Sequence, residues 1–184
     1  MRNYVGITGT PGTGKKTIAP LVAYKMGLPC VSLHDEEVSS GLVRLGDDDG
    51  EVDTDRLGRF LVRHVKGQAL IYGHLLPYVL GRKDCVKIAV LRCEPKTLKR
   101  RLFSRGYRNE KVVENVEAEL IGVLSAYSLT KFGGERTAEF DTTKAKPKAI
   151  AEAISEFLGG GVEPGPSFDW TFGYRSAPKL RSLF

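Results

Sequence analysis

Along the first thirty positions the apolar residues change their period twice. Tyr4, Val5, Gly6, Ile7 and Thr8 form a short β-rich run, and Ile18, Leu21, Val22 and Met26 then recur at spacings of three and four. That pattern predicts a strand followed by a helix. Gly27 with Pro29 stops the helix, and Cys30, Val31, Ser32 and Leu33 read as a second strand. A polar stretch follows, and residues 47–55 hold six carboxylates. From Asp55 the helical period returns, with Leu57, Phe60, Leu61 and Val65 on one face and Gly67 closing it. Residues 69–72 and 86–91 predict two more strands, the second apolar enough to be buried on both faces.

Further on, the period predicts a helix over 97–102 and one longer helix carrying Val112, Val113, Val116, Leu120, Val123 and Leu124. Glu139 to Thr142 reads as a last short strand. Pro147 suits the first turn of a final helix ending at Leu158, before three glycines. Strands alternating with helices predict an α/β fold, a parallel sheet with helices on both faces. The expected core spans 1–158. Residues 159–184 form a Gly/Pro/aromatic tail that either extends into solvent or docks its aromatics on the core.

Composition narrows the classes. The chain has 184 residues, 28 Lys and Arg against 22 Asp and Glu, and a formal charge of +6. One compact domain is expected at this length. No run approaches the ~20 apolar residues of a membrane helix, and Gly6 and the glycines at 9–14 interrupt any signal-peptide core. The three cysteines lack CxxC spacing and are expected to be reduced thiols in a cytoplasmic protein.

Gly9-Thr10-Pro11-Gly12-Thr13-Gly14-Lys15 lies between a predicted strand and a predicted helix, the setting a phosphate-binding loop requires. Glycines let consecutive N–H groups converge on phosphate oxygens, and the helix turns its positive end toward the same charge. Lys15 is placed to reach the β and γ phosphates. Lys16 stands where a hydroxyl residue that holds Mg2+ is usual, and Thr17 follows. Lys16 either adds a second cation beside the anion or points to solvent. From Arg92 to Lys111 eight basic residues face two acidic ones, with Arg101 and Arg105 before a Gly106 hinge. Such a segment either closes guanidinium groups over a triphosphate or is a solvated helix face.

GTPGTGKKT at 9–17, the Gly73-His74 pair after Leu70-Ile71-Tyr72, Leu91-Arg92, and RGYRNEKVVENVEAEL at 105–120 resemble the atypical adenylate kinase family, the isoenzyme six type. The likeness covers most of residues 4–158. It implies a P-loop nucleoside monophosphate kinase fold with an acceptor segment at about 32–56 and a lid at about 104–114. It further implies ATP and Mg2+ as cofactors, phosphate exchange between ATP and AMP, slow ATP hydrolysis, and a role in small-ribosomal-subunit maturation through a platform ribosomal protein.

By residue, the implied catalytic groups are Lys15, His74 and Arg105. The triphosphate falls to Gly9, Gly12, Thr13, Gly14, Lys15, Lys16, Thr17, Arg101 and Arg105. The acceptor falls to Asp35, Asp55 and Arg56, with Arg44 a substitute for a family arginine where Val38 stands. Thr17 and Asp35 are candidates to contact the Mg2+ that ATP carries. The family's Asp-x-His triplet is Tyr72-Gly73-His74 here, so the expected carboxylate is missing, and the penalty should fall on rate, especially of hydrolysis, more than on ATP binding. Three functions fit: an ATP:AMP phosphotransferase, a nucleotide-gated assembly ATPase, and a kinase of another small acceptor. No RNA-binding motif is present, so direct rRNA contact stays open.

Overall fold

The computed structural model describes residues 3–39, 41, 52–163, 165, 167–176, 178, 180 and 183, with the backbone alone for 37–39. Five strands, β1 (Tyr4–Thr8), β2 (Cys30–Ser32), β3 (Leu70–Tyr72), β4 (Cys85–Arg92) and β5 (Thr137–Asp141), form one sheet in the order β2-β3-β1-β4-β5. All pairings are parallel, with Ile7 opposite Tyr72 on one side and Ala89 on the other. β1 is central, and its two neighbours come from connections leaving in opposite directions. That arrangement opens a crevice at the carboxyl end of β1, where the glycine loop begins.

Helices cover both faces, as the sheet's apolar strands require. On one, α1 (Lys15–Met26) and α8 (Pro147–Leu158) pack Ile18, Val22, Ile154 and Phe157 against Val5, Ile7, Ala89 and Leu91. On the other, α2 (Leu33–Ser39), α3 (Thr54–His64), α4 (Leu76–Val79) and α7 (Val123–Phe132) meet Tyr4, Ile71 and Ile88. Leu57 and Leu61 are fully buried there, each stabilising by about 1.5–3 kcal/mol. A third cluster joins α5 (Pro95–Phe103) to α6 (Asn109–Leu120) through Leu98, Leu102, Val112 and Val116. No helix among the described residues is long and apolar enough to cross a membrane.

Four expectations are corrected. The single helix through 112–124 is two, because Gly122 takes φ +70° and the Arg92 guanidinium fills the corner: a Cβ on Gly122 would lie 3.4 Å from Arg92 Nη2. Arg92 Nη2 also donates to the Glu119 carbonyl at 2.9 Å, satisfying a carbonyl in the last turn of α6. The second strand stops at Ser32, since Leu33 opens α2. The last strand runs over Thr137–Asp141, and Val86 at the start of β4 is exposed. Of the two courses left open for the tail, docking is the one taken: Trp170 and Tyr174, in a short 3-10 helix, pack on the α5–α6 cluster with Leu183.

Candidate active site

After Thr8 the chain turns through residues 9–14 before Lys15 opens α1. Gly9 adopts φ +143°, and a Cβ there would sit 2.4 Å from the Leu91 carbonyl oxygen, so only glycine lets the loop pass the end of β4. The loop closes on itself, with Thr13 donating to the Thr10 carbonyl from its amide at 3.2 Å and its hydroxyl at 2.8 Å. Lys15 Nζ donates to the Gly9 carbonyl and, at 3.0 Å, to that of Thr10. Gly14 is the N-cap of α1 and has no side chain to offer the first-turn amides. The amides and positive pole of α1 therefore face whatever the loop encloses.

Buried polar contacts hold the loop from behind. The Thr142 hydroxyl, after β5, donates to the Thr13 carbonyl at 2.8 Å. The Thr10 hydroxyl donates to Glu119 of α6 at 2.6 Å. Glu119 also accepts from Arg92 Nε at 2.8 Å and from the Cys93 amide at 2.9 Å. Beside the loop, the Thr8 hydroxyl donates to the Gly73 carbonyl at 2.9 Å and so fixes the Gly73-His74 exit of β3 to the end of β1.

The loop forms the floor of a cavity of about 660 Å3, within the range of nucleotide-sized pockets. Thr10, Gly12, Gly14, Lys15, Lys16 and Thr17 line it below. His34, His74 and Tyr78 stand on one side, and Arg105, Arg108 and Lys111 on the other. A small recess of about 70 Å3 adjoins it between Lys15, His34, Tyr72 and His74. Burial lowers the Lys15 ammonium from its ordinary 10.5 to about 7; Glu119 opposes that shift, and Arg105 and Lys16 reinforce it. Partial desolvation in the cleft, then the charges of Lys15 and His34, lower His74 to about 4. The residue as a whole is nonetheless exposed. At neutral pH His74 is uncharged and offers a lone pair rather than a cation.

Lys15, Lys16, Thr17, His74 and Arg105 thus meet in one cleft. Gly9 and Thr13 shape the loop from within. Arg101 does not line the cavity: its guanidinium donates to the carbonyls of Thr142 at 2.7 Å and Thr143 at 3.2 Å. Asp35, Asp55 and Arg56 are exposed and are not among the lining residues. Asp53 caps α3, accepting from the Arg56 amide at 2.8 Å. Arg44 lies outside the described residues. The sequence reading missed Glu119, Arg92, Thr142, His34 and Tyr78. Glu119 had a signal: it shares the apolar stripe of α6 with Val112, Val116 and Leu120, where an acid must find buried partners.

A family model described as an AAA domain matches residues 5–122. A protein of Pyrococcus furiosus named "Putative adenylate kinase" is 36% identical over 183 residues, covering 96% of this chain and 97% of its own. One of the same name from Natronomonas pharaonis is 36% identical over 163 residues, covering 87% and 92%. Among solved structures, shikimate kinase from Bacteroides thetaiotaomicron superposes with TM-score 0.61 at 17% identity, over 85% of this chain and 98% of that one. A gluconokinase from Sinorhizobium meliloti does so with TM-score 0.61 at 14% identity, over 87% and 94%. These two likenesses concern the fold, that of α/β nucleotide-dependent kinases.

Proposed function

Since the chain belongs to this adenylate kinase-like P-loop family, we propose that it transfers the γ-phosphoryl group of ATP to AMP, and hydrolyses ATP slowly when no acceptor is bound. The observation that carries this reading is the meeting of the phosphate loop with Arg105, Arg108 and Lys111 across one cavity. Phosphoryl transfer asks little covalent chemistry of a protein and much positioning and charge neutralisation. Loop amides and Lys15 hold the β and γ phosphates from below. Residues 104–114 act as the lid, hinged at Gly106, whose φ is +77° and where a Cβ would meet nothing within 4 Å. Their closure lays Arg105 on the transferring group and excludes water. His74, neutral, accepts a hydrogen bond from an attacking water or donates one through its N–H to an oxygen of the acceptor phosphate.

The oxygen donors on the cavity wall fit a magnesium ion carried mainly by phosphate and water. The Thr17 hydroxyl would hold it, because the Thr10 hydroxyl is committed to Glu119 and Tyr72 stands where the family has a carboxylate. When bound, the ion neutralises charge on the β and γ oxygens.

Incubation with MgATP and AMP should yield two ADP per turnover. Chromatography showing no ADP above that made by Lys15→Ala overturns the transferase reading. A second reading, a nucleotide-gated ATPase in small-ribosomal-subunit maturation with a platform ribosomal protein as partner, is favoured by the exposed acceptor residues. Slow phosphate release from ATP, without ADP gain on adding AMP, would single it out. The basic surplus suits a partner near RNA.

A further inference from the structure

Behind the phosphate loop lies a buried ionic network that the transfer chemistry does not use. Arg92 is shared between Glu119, through Nε at 2.8 Å, and Glu139, through Nη1 at 2.6 Å. All three side chains are at most 3% exposed. The two oxygens of Glu119 together accept from four donors: the Thr10 hydroxyl at 2.6 Å, Arg92, the Cys93 amide at 2.9 Å and the indole Nε1 of Trp170 at 3.3 Å. The tail meets the network again one step away. The Phe168 amide donates to Glu139, and the Phe168 carbonyl accepts from Arg92 Nη1 at 3.2 Å. Phe168 and Trp170 stack with centroids 5.6 Å apart, which couples the two attachments.

We propose that Glu119 is a positioning residue for the phosphate loop and that the Trp170 tail latches it, so that tail docking and nucleotide binding are coupled. The physical ground is that a buried carboxylate held by four donors, three on Oε1 and one on Oε2, has one low-energy placement, and each donor helps define it. Thr10 is the loop's contact with that carboxylate, and its carbonyl also takes Lys15 Nζ. When Lys15 turns to a phosphate, the Thr10 carbonyl loses that partner, so the loop comes to depend more on the Thr10–Glu119 bond and on the carboxylate placement that the indole helps define. By linkage the effect runs equally in reverse: a seated tail tightens the loop's grip on nucleotide. The inference rests on the loop's binding of ATP and is indifferent to the acceptor.

Trp170 is the chain's single tryptophan, so its fluorescence reports on the latch alone. Without nucleotide, Thr10→Val should change Trp170 emission, since Glu119 then loses its loop partner. ATP added to the full-length protein should change the emission with the midpoint found by calorimetry. Trp170→Phe, which keeps an aromatic ring but loses the indole N–H, should raise the ATP Kd about three- to tenfold while kcat at saturating ATP changes less than about twofold. Glu119→Gln should raise it further. Calorimetric binding with silent fluorescence, or an unchanged Kd in Trp170→Phe, overturns the coupling. Calorimetric silence would instead overturn the nucleotide reading, and the Thr10→Val emission would still decide the latch, an unchanged spectrum refuting it.

Discussion

The loop wall of the cleft and the exposed segment expected to serve as an acceptor wall are built in opposite ways. On the first, Thr10, Thr13 and Lys15 each have protein partners within the loop or behind it, and Glu119, Arg92 and Thr142 brace them from three other elements. On the second, Asp35, Asp55 and Arg56 are exposed, and the carboxylate of Asp53 is spent on capping α3. Polar groups held by several buried partners keep one geometry whether or not a ligand is present, whereas exposed ones gain theirs only on binding. The loop wall is therefore preorganised, and the exposed segment is not.

The contrast breaks most visibly at Lys15. Lys15→Ala should weaken ATP binding by about 100-fold or more, because a charge aimed at phosphate in a partly desolvated site is lost. Arg56→Ala on the other wall should leave ATP binding within about twofold. Calorimetry on both variants, with circular dichroism to confirm folding, decides; comparable losses would erase the difference between the walls.

The pH dependence sharpens the same point. With Lys15 held near 7, a bound phosphate raises its affinity for protons. ATP binding at pH 8 should then take up about one proton, falling toward none at pH 6, and affinity should decline as pH rises above about 7. Calorimetry in buffers of different ionisation heat measures the uptake directly. Proton release would reverse the sign and refute the account. His74, held near 4, should contribute no acid limb near pH 6.5 to the rate profile.

The smallest effect belongs to the acceptor wall. Asp53→Ala should cost about 0.5–2 kcal/mol of stability through loss of the α3 cap, seen as a lower Tm. The KM for AMP should stay within about twofold of the parent. A tenfold rise in that KM would show Asp53 to be an acceptor ligand and the second wall to be as prebuilt as the first.

Much of the fold was readable because its signals are local. β1, α1, α3, β3 and α8 follow from apolar period, glycine and proline placement, with ends off by a residue or two. The helix break at Gly122 was hidden, since Val116, Leu120, Val123 and Leu124 keep the helical period across it. What bends the chain there is Arg92, thirty residues earlier. Arg101 and Arg105 look alike four residues apart on one basic stretch, yet the first turns to the carbonyls after β5 and the second into the cleft. The tail's aromatics gave no indication of a docking place until Glu94, Glu119 and Glu139 were brought beneath them, where they bond Tyr174, Trp170 and Phe168.

The order of strands and helices, the glycine loop between β1 and α1, and the lysine at its end were determined by the sequence alone, because each rests on residues within a few positions of one another. Which charged groups reach the loop, which merely cap or brace, and where the tail comes to rest were decided only by tertiary structure. Burying an arginine between two glutamates requires elements from three parts of the chain to arrive together, and no local pattern carries that requirement.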